Sequence, residues 1–228
     1  RELSDSELKS LLETDVFDAE LCTLADKVRR ENYGDAVYVR GLIEFSNYCK
    51  NDCFYCGIRC HNLNAQRYRL TKEEILTCCR EGYALGYRTF VLQSGEDLSY
   101  KTRDICEIVY EIKTVYPDCA VTLSIGEKPR QEYQDYFDAG ADRYLLRHET
   151  ASADHYGKLH PASMSLENRI RHVHSQPVLS DPVCRDHCQG YKRIHRPAAL
   201  IAAAKAVQMA HSMQGEGGRI HGCIAYKI

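Results

Sequence analysis

The sequence has almost no net charge, no long apolar run and no export signal at its start. Its 30 Lys/Arg stand against 32 Asp/Glu, a formal charge of −2 at pH 7, which argues against a nucleic-acid-binding surface. No apolar stretch approaches the roughly 20 residues that a membrane-spanning helix needs. No charged, then apolar, then small-residue leader opens the chain. A soluble, intracellular protein without membrane contact is expected. The chain begins at Arg1 rather than at a Met, so its true N-terminus is expected to lie upstream. With 228 residues, 44% hydrophobic and 27% charged, there is enough apolar side chain for one packed domain and too much for disorder.

Cysteine is the residue in excess, at positions 22, 49, 53, 56, 60, 78, 79, 106, 119, 184, 188 and 223. Disulfide-rich scaffolds are usually short and poor in long helices, and this chain is neither, so an intracellular metal protein with some ordinary thiols is expected. Cys22, Cys78, Cys79, Cys106 and Cys119 lie in apolar periodic segments and are read as small core residues.

Periodicity organises the rest. Residues 4–32 read as two short helices, with Leu8, Leu11, Leu12 and then Leu21, Leu24, Val28 on one face. A β-branched apolar run predicts a buried strand over 37–45. Thr71 through Glu74 form a capping box that opens a helix ending near Gly82 or Gly86. Strands are predicted over 88–93, 120–125 and 143–146. Helices are predicted over 102–115, 129–138 and 165–172. Strands alternating with helices at this spacing predict an α/β fold, a parallel sheet with helices outside. Four βα units are visible, about half of a (β/α)8 barrel, which takes about 250 residues.

Near His172 the chain changes character. Residues 172–228 hold six of the ten His and seven Lys/Arg, but only Asp181, Asp186 and Glu216 as acids. Strand–helix alternation stops, and only an Ala-rich helix over about 197–213 stands out. Three parts are therefore delimited: N-terminal helices 1–36, a core 37–171 and an atypical tail 172–228. The tail is expected not to be a native continuation of the core, with a shifted reading frame as the first explanation, a spliced or recombined end as the second, and a divergent tail that closes the sheet in its own way as the alternative. Cys184, His187 and Cys188 in it fit no standard zinc spacing.

The chemistry concentrates at Cys49, Cys53 and Cys56, a C-x3-C-x2-C loop directly after a buried strand. Three thiolates so placed hold three irons of a 4Fe–4S cluster and leave the fourth iron open. Radical S-adenosylmethionine (SAM) enzymes chelate SAM on that iron. A zinc knuckle would use paired C-x2-C units instead. Cys60 would complete a four-thiolate site and exclude SAM if it reached the fourth iron; the preferred reading is a loop thiol outside the cluster. Further polar groups stand just beyond the other strands: Ser94, Gly95, Glu96 and Asp97; Ser124, Gly126 and Glu127; Arg147, His148, Glu149 and Thr150. The C-terminal ends of parallel strands converge on one face, so these groups and Cys49 are expected to share a cavity.

As an ordered set these segments are similar to the HydE-type radical SAM maturases of FeFe-hydrogenase. The matching residues run from Arg40 to Cys49, from Cys56 to Arg59, and from Arg67 to Arg69. They continue over 91–97, 121–127 and 140–150, and end at Glu167–Arg169. Biotin synthase and methylornithine synthase are cousins with the same cysteine triplet. The resemblance implies a TIM-type barrel, a 4Fe–4S cluster, reductive SAM cleavage, and a part in building the hydrogenase's diiron subcluster. It places Tyr55 by the adenine and Glu149 and Arg169 on SAM, with Gln93, Ser94 and Ser124 lining the cavity beside Gly95 and Glu96. It also implies a small-molecule substrate, a cysteine-bound iron complex, with ferredoxin or flavodoxin as electron donor and other hydrogenase maturases as partners. The location implied is the cytoplasm, or the matrix of a hydrogen-producing organelle. Alternatives are a related radical SAM mutase or synthase, such as methylornithine synthase, and a catalytically inactive iron–sulfur fragment. Two departures stand out: the family usually has a basic residue where Cys60 stands, and nothing after about residue 172 matches it.

Overall fold

A computed structural model describes residues 4–37, 39–150 and 152–175. The predicted tail helix over 197–213 and the Cys184–Cys188 segment lie outside these residues. Helices α1 (Asp5–Glu13) and α2 (Asp18–Tyr33) fall in one compact unit, and the described residues from Val39 onward in another. Ser4 caps α1 with a capping box closed by Glu7. The apolar face expected of these helices does not form a core. Leu12, Leu24 and Val28 are exposed, and α2 has no buried residue.

The second unit is built on a four-stranded parallel sheet in the order β1-β2-β3-β4. Its strands are β1 (Gly41–Ser46), β2 (Thr89–Ser94), β3 (Ala120–Ser124) and β4 (Arg143–Tyr144). Helices α3 (Lys72–Ala84), α4 (Thr102–Val115) and α5 (Arg130–Asp138) form the successive crossovers. Beyond β4 come α6 (Ala153–Leu159) and α7 (Leu166–Ser175). This is the expected run of four βα units. Among the described residues no helix is long and apolar enough to cross a membrane.

The alternation of strand side chains divides the sheet into two faces. Register pairs Ile43 with Leu92 and Leu92 with Leu123. These residues are buried with Phe45, Phe90 and Val121 against Ile75, Cys79, Ile105, Ile108, Val109 and Ile112 of the crossover helices. Helix α3 starts where expected, the Glu74 N–H donating to Thr71 Oγ1 and the Thr71 N–H to Glu74 Oε2, at 3.2 and 2.7 Å. On the opposite face the register aligns Glu44, Gln93 and Ser124 in one row, with Thr122 in the row before it.

Three expectations need correction. Strand β4 holds two residues rather than four, although the Leu145 N–H still donates to Leu123 O at 2.8 Å. Helix α6 stands where the sequence predicts no element. The nine described cysteines are all free thiols, but Cys78 is exposed and Cys22 and Cys106 only partly buried, whereas Cys79 and Cys119 are buried. Ile75 and Cys79, one helical turn apart, take the buried stripe of α3 and leave Cys78 outside it.

Candidate functional site

The cysteine loop leaves the end of β1 through an irregularity in register between Glu44 and Ser46. Such bulges re-aim a strand where it ends, and often flank sites. Gly95 presses from β2 onto this exit: a Cβ there would lie 2.2 Å from Tyr48 O and 2.7 Å from Cys49 Cβ. Only glycine permits that approach. The Glu96 N–H then donates to Cys49 Sγ at 3.4 Å, and the Lys50 N–H to Glu96 O at 3.1 Å. On the far side the Phe54 N–H donates to Leu159 O at 2.9 Å, and Cys53 Sγ touches Met164 Sδ at 3.9 Å.

One side chain gathers the rest of the loop. The Arg67 guanidinium donates to the carbonyls of Asn47, Ile58, Arg59 and Asn62. Its neighbour Arg69 lies over the Tyr48 ring at 3.6 Å from the centroid and pairs with Asp97, Nε to Oδ2 2.6 Å. Ser46 Oγ donates to the same oxygen at 2.6 Å. Burial pushes the Asp97 carboxyl up, but the hydrogen bonds from Arg69, Ser46 and the Ser99 N–H outweigh it and hold it at about 2.

The carboxylates after β2 and β3 are engaged with protein groups. Glu96 Oε2 pairs with Lys50 Nζ at 3.1 Å, and its Oε1 accepts the Glu127 N–H at 3.1 Å. Gly126 makes room for this: at φ 84° its missing Cβ would fall 1.9 Å from Glu96 Cγ. Glu127 in turn pairs with Arg169 Nε at 3.0 Å and accepts from Asn168 Nδ2 at 2.9 Å. Arg169 is only 7% exposed. Burial works against its charge, but Tyr156 and Glu127 overcome this and raise it above the usual arginine value. The Tyr156 ring stacks on His160 at 3.8 Å, and His160 meets Tyr55 edge-on at 5.5 Å. A continuous chain of contacts thus runs Lys50–Glu96–Glu127–Arg169–Tyr156–His160–Tyr55 around the cysteine loop.

Glu149 joins from the segment after β4. It adopts φ 65°, the one described non-glycine residue with positive φ, a strained conformation typical of functional positions. Burial raises the Tyr55 hydroxyl well above its usual value, with Glu149, Cys53 and Cys56 adding to the rise and Arg169 opposing it. Tyr55, Glu149, Arg169 and the thiols therefore share one electrostatic environment. On the inner face Gln93 Nε2 donates to Glu44 Oε1 at 3.0 Å, and Arg147 donates to Gln93 Oε1. Ser124 adjoins Gln93 in register. Ser94 does not belong with them: it follows Gln93 by one residue, leaves on the other side of the strand, and gives its hydroxyl to Gly95 O at 2.6 Å.

The donor set fits an iron–sulfur cluster better than a single ion. Cys49, Cys53 and Cys56 are free and partly buried, yet their sulfurs are not all within 4.8 Å of one another. Donors to one zinc ion close more tightly, whereas thiolates that each bind a separate iron stand apart. Desolvation raises the Cys49 thiol and lifts Cys53 to about 11, with Cys49 and Cys56 adding to the latter. Metal binding at these sulfurs displaces their protons. Beyond the inner row, the buried Thr122 hydroxyl has no hydrogen-bond partner among the described residues.

Lys50, Tyr156, His160 and Met164 were not singled out from the sequence. A lone histidine and a tyrosine in a polar segment give no periodic or motif signal. Arg67 carried one, as part of the Arg67–Arg69 match.

Comparison with known proteins sets this geometry in context. Residues 43–174 match the model of the radical SAM superfamily. The chain is 51% identical over 154 residues to the [FeFe] hydrogenase maturase subunit HydE of Thermotoga maritima, covering 68% of this chain and 43% of that protein. It is 32% identical over 162 residues to the 3-methylornithine synthase of Methanosarcina acetivorans, covering 69% and 46%. The crystal structure of methylornithine synthase superposes with a TM-score of 0.68 at 30% identity, over 77% of this chain and 52% of that one. The hydrogenase maturase HydG, at 22% identity and a TM-score of 0.63 over 97% and 50%, shares the fold. The chain spans about half the length of the curated relatives it matches.

Proposed function

The chain belongs to the radical SAM superfamily, and from that premise we propose that it carries a 4Fe–4S cluster on Cys49, Cys53 and Cys56, binds and reductively cleaves SAM, and serves in assembly of the diiron subcluster of FeFe-hydrogenase. The observation that carries this reading is the placement of the cysteine loop beyond the end of β1, with the Glu96 N–H on Cys49 Sγ and the Arg169–Tyr156–His160–Tyr55 contacts beside it, within a segment 51% identical to HydE.

A 4Fe–4S cluster held by Cys49, Cys53 and Cys56 would supply the electron for reductive cleavage of SAM. The chain's own residues position. The Glu96 N–H donates to the Cys49 sulfur, a contact of the kind that tunes cluster potential. Tyr55 offers a ring for the adenine, and Glu149 a carboxylate for the ribose hydroxyls. Arg169, fixed by Glu127 and Tyr156, presents a guanidinium for the SAM carboxylate. Gln93, held between Glu44 and Arg147, lines the substrate side with Ser124. The substrate would be a cysteine-bound iron complex, the electron donor a ferredoxin or flavodoxin, the partners other hydrogenase maturases, and the location cytoplasmic. The methylornithine synthase superposition favours a second reading, the same SAM chemistry on an amino-acid substrate.

Anaerobic reconstitution should load about four irons per chain, and SAM should change the electron paramagnetic resonance of the reduced cluster and yield 5′-deoxyadenosine. Cys53→Ala should abolish the cluster. Retention of the cluster in that variant would refute the ligand assignment, and a cluster whose spectrum ignores SAM would refute the open iron.

A further inference from the structure

Cys60 lies apart from the cluster chemistry just described, on the return of the same loop. Its N–H donates to Asn51 O at 2.9 Å, bringing it back beside the start of the cysteine motif. There its sulfur lies 3.4 Å from His61 Nδ1, and the same nitrogen lies 3.1 Å from Asp52 Oδ2. Sulfur, nitrogen and oxygen all fall within 4.8 Å of one another, and this is the one such group of donors among the described residues.

The distances decide between a hydrogen-bonded cluster and an ion site. Two contacts converge on one imidazole nitrogen, and a ring nitrogen serves only one hydrogen bond in its plane. A tetrahedral ion with Zn–S of about 2.3 Å and Zn–N or Zn–O of about 2.0–2.2 Å sets its ligand atoms about 3.3–3.6 Å apart. The observed separations of 3.4 and 3.1 Å are close to those edges. The other carboxylate oxygen of Asp52 is already assigned: it accepts the His61 N–H at 3.4 Å and faces Arg59 Nε at 3.9 Å. Oδ2 is left to face the ion. Access is open, since the His61 side chain is 79% exposed and that of Asp52 27%.

We propose that Asp52, Cys60 and His61 form a second metal site, for a borderline divalent cation of the zinc type, distinct from the cluster on Cys49, Cys53 and Cys56. Thiolate, imidazole and carboxylate together suit Zn2+ or Fe2+ rather than Mg2+ or Ca2+. Three protein ligands leave the fourth position to water. Binding displaces the Cys60 thiol proton. The ligands come from both arms of the segment that carries Cys53 and Cys56, so the ion clips the base of that loop closed.

The test uses the anaerobically reconstituted full chain, incubated with zinc and then desalted. We expect about one zinc per chain in addition to about four irons, and loss of the zinc with retention of the iron in Cys60→Ala and in His61→Ala. Iron offered in excess in place of zinc distinguishes the two cations by which is retained after desalting. A parallel arm uses Co2+ on the chain carrying Cys49→Ala, Cys53→Ala and Cys56→Ala together, where a thiolate-to-cobalt absorption in the near ultraviolet should appear and vanish when Cys60 is also replaced. This arm reads the second site even if no cluster assembles. No extra metal in either arm, or metal retained without Cys60 and His61, overturns the site. Loss of cluster iron in Cys60→Ala would assign this thiol to the cluster and overturn it equally.

Discussion

The two faces of the sheet obey opposite rules. The face toward α3, α4 and α5 is built of Ile43, Phe45, Phe90, Leu92, Val121 and Leu123, buried together. The inner face carries Glu44, Gln93, Thr122 and Ser124 from the same strands, tied to Arg147 beyond β4. One face supplies the apolar burial that keeps the unit folded. The other spends strand positions on polar groups that add little to folding, and this is where a site is expected. The two jobs are separated by the simple alternation of side chains along a strand.

That division can be broken on either side. The largest effect is expected from Phe45→Ala, which removes a ring that is 1% exposed and packs edge-on to Tyr100 at 4.9 Å. Its stability in denaturant should fall by about 3–5 kcal/mol. A loss below about 1 kcal/mol would show that the outer face does not carry the fold.

Beyond the end of β2 stands Asp97, its side chain 3% exposed and held at about 2. Its folded value lies below the unfolded one of about 3.9, so the ionised pair stabilises fully above that pH by about 2 kcal/mol. That contribution should fade as pH drops from about 5 towards 2. Unfolding measured across this window should show a decline that Asp97→Asn flattens. An equal decline in the variant would remove Asp97 from the account.

The smallest effect has the opposite sign. Thr122→Val replaces a buried hydroxyl without a partner among the described residues by a methyl group, and should stabilise the metal-free chain by up to about 1 kcal/mol. Destabilisation there would mean that the hydroxyl is satisfied in the folded chain.

Much of this was legible beforehand, for identifiable reasons. Thr71 and Glu74 announced α3 because a capping box is local chemistry that no distant contact revises. The strands were readable from short apolar and β-branched runs bounded by turn residues and alternating with helical segments. Helix α6 was not, because only Tyr156 of its seven residues is buried and one residue makes no period. Cys78 misled, since composition cannot tell the buried stripe of a helix from the position beside it. At the site, the cysteine spacing and the polar groups after each strand were visible. What stayed hidden was which of those polar groups are already satisfied. Glu96 is expected at the site from its place after a strand and Arg169 from the family resemblance; neither signal shows the protein partners that hold them.

The four carbonyls gathered by Arg67 bear on the order in which the parts come together. A loop left loose until iron arrives would have to surrender its backbone freedom at that moment, at roughly 1–2 kcal/mol per residue. Here the guanidinium ties four carbonyls of the loop together. On the cluster assignment proposed above, insertion would be capture by a standing receptor rather than folding around a metal. A chain stripped of its iron should accept a new cluster without unfolding first.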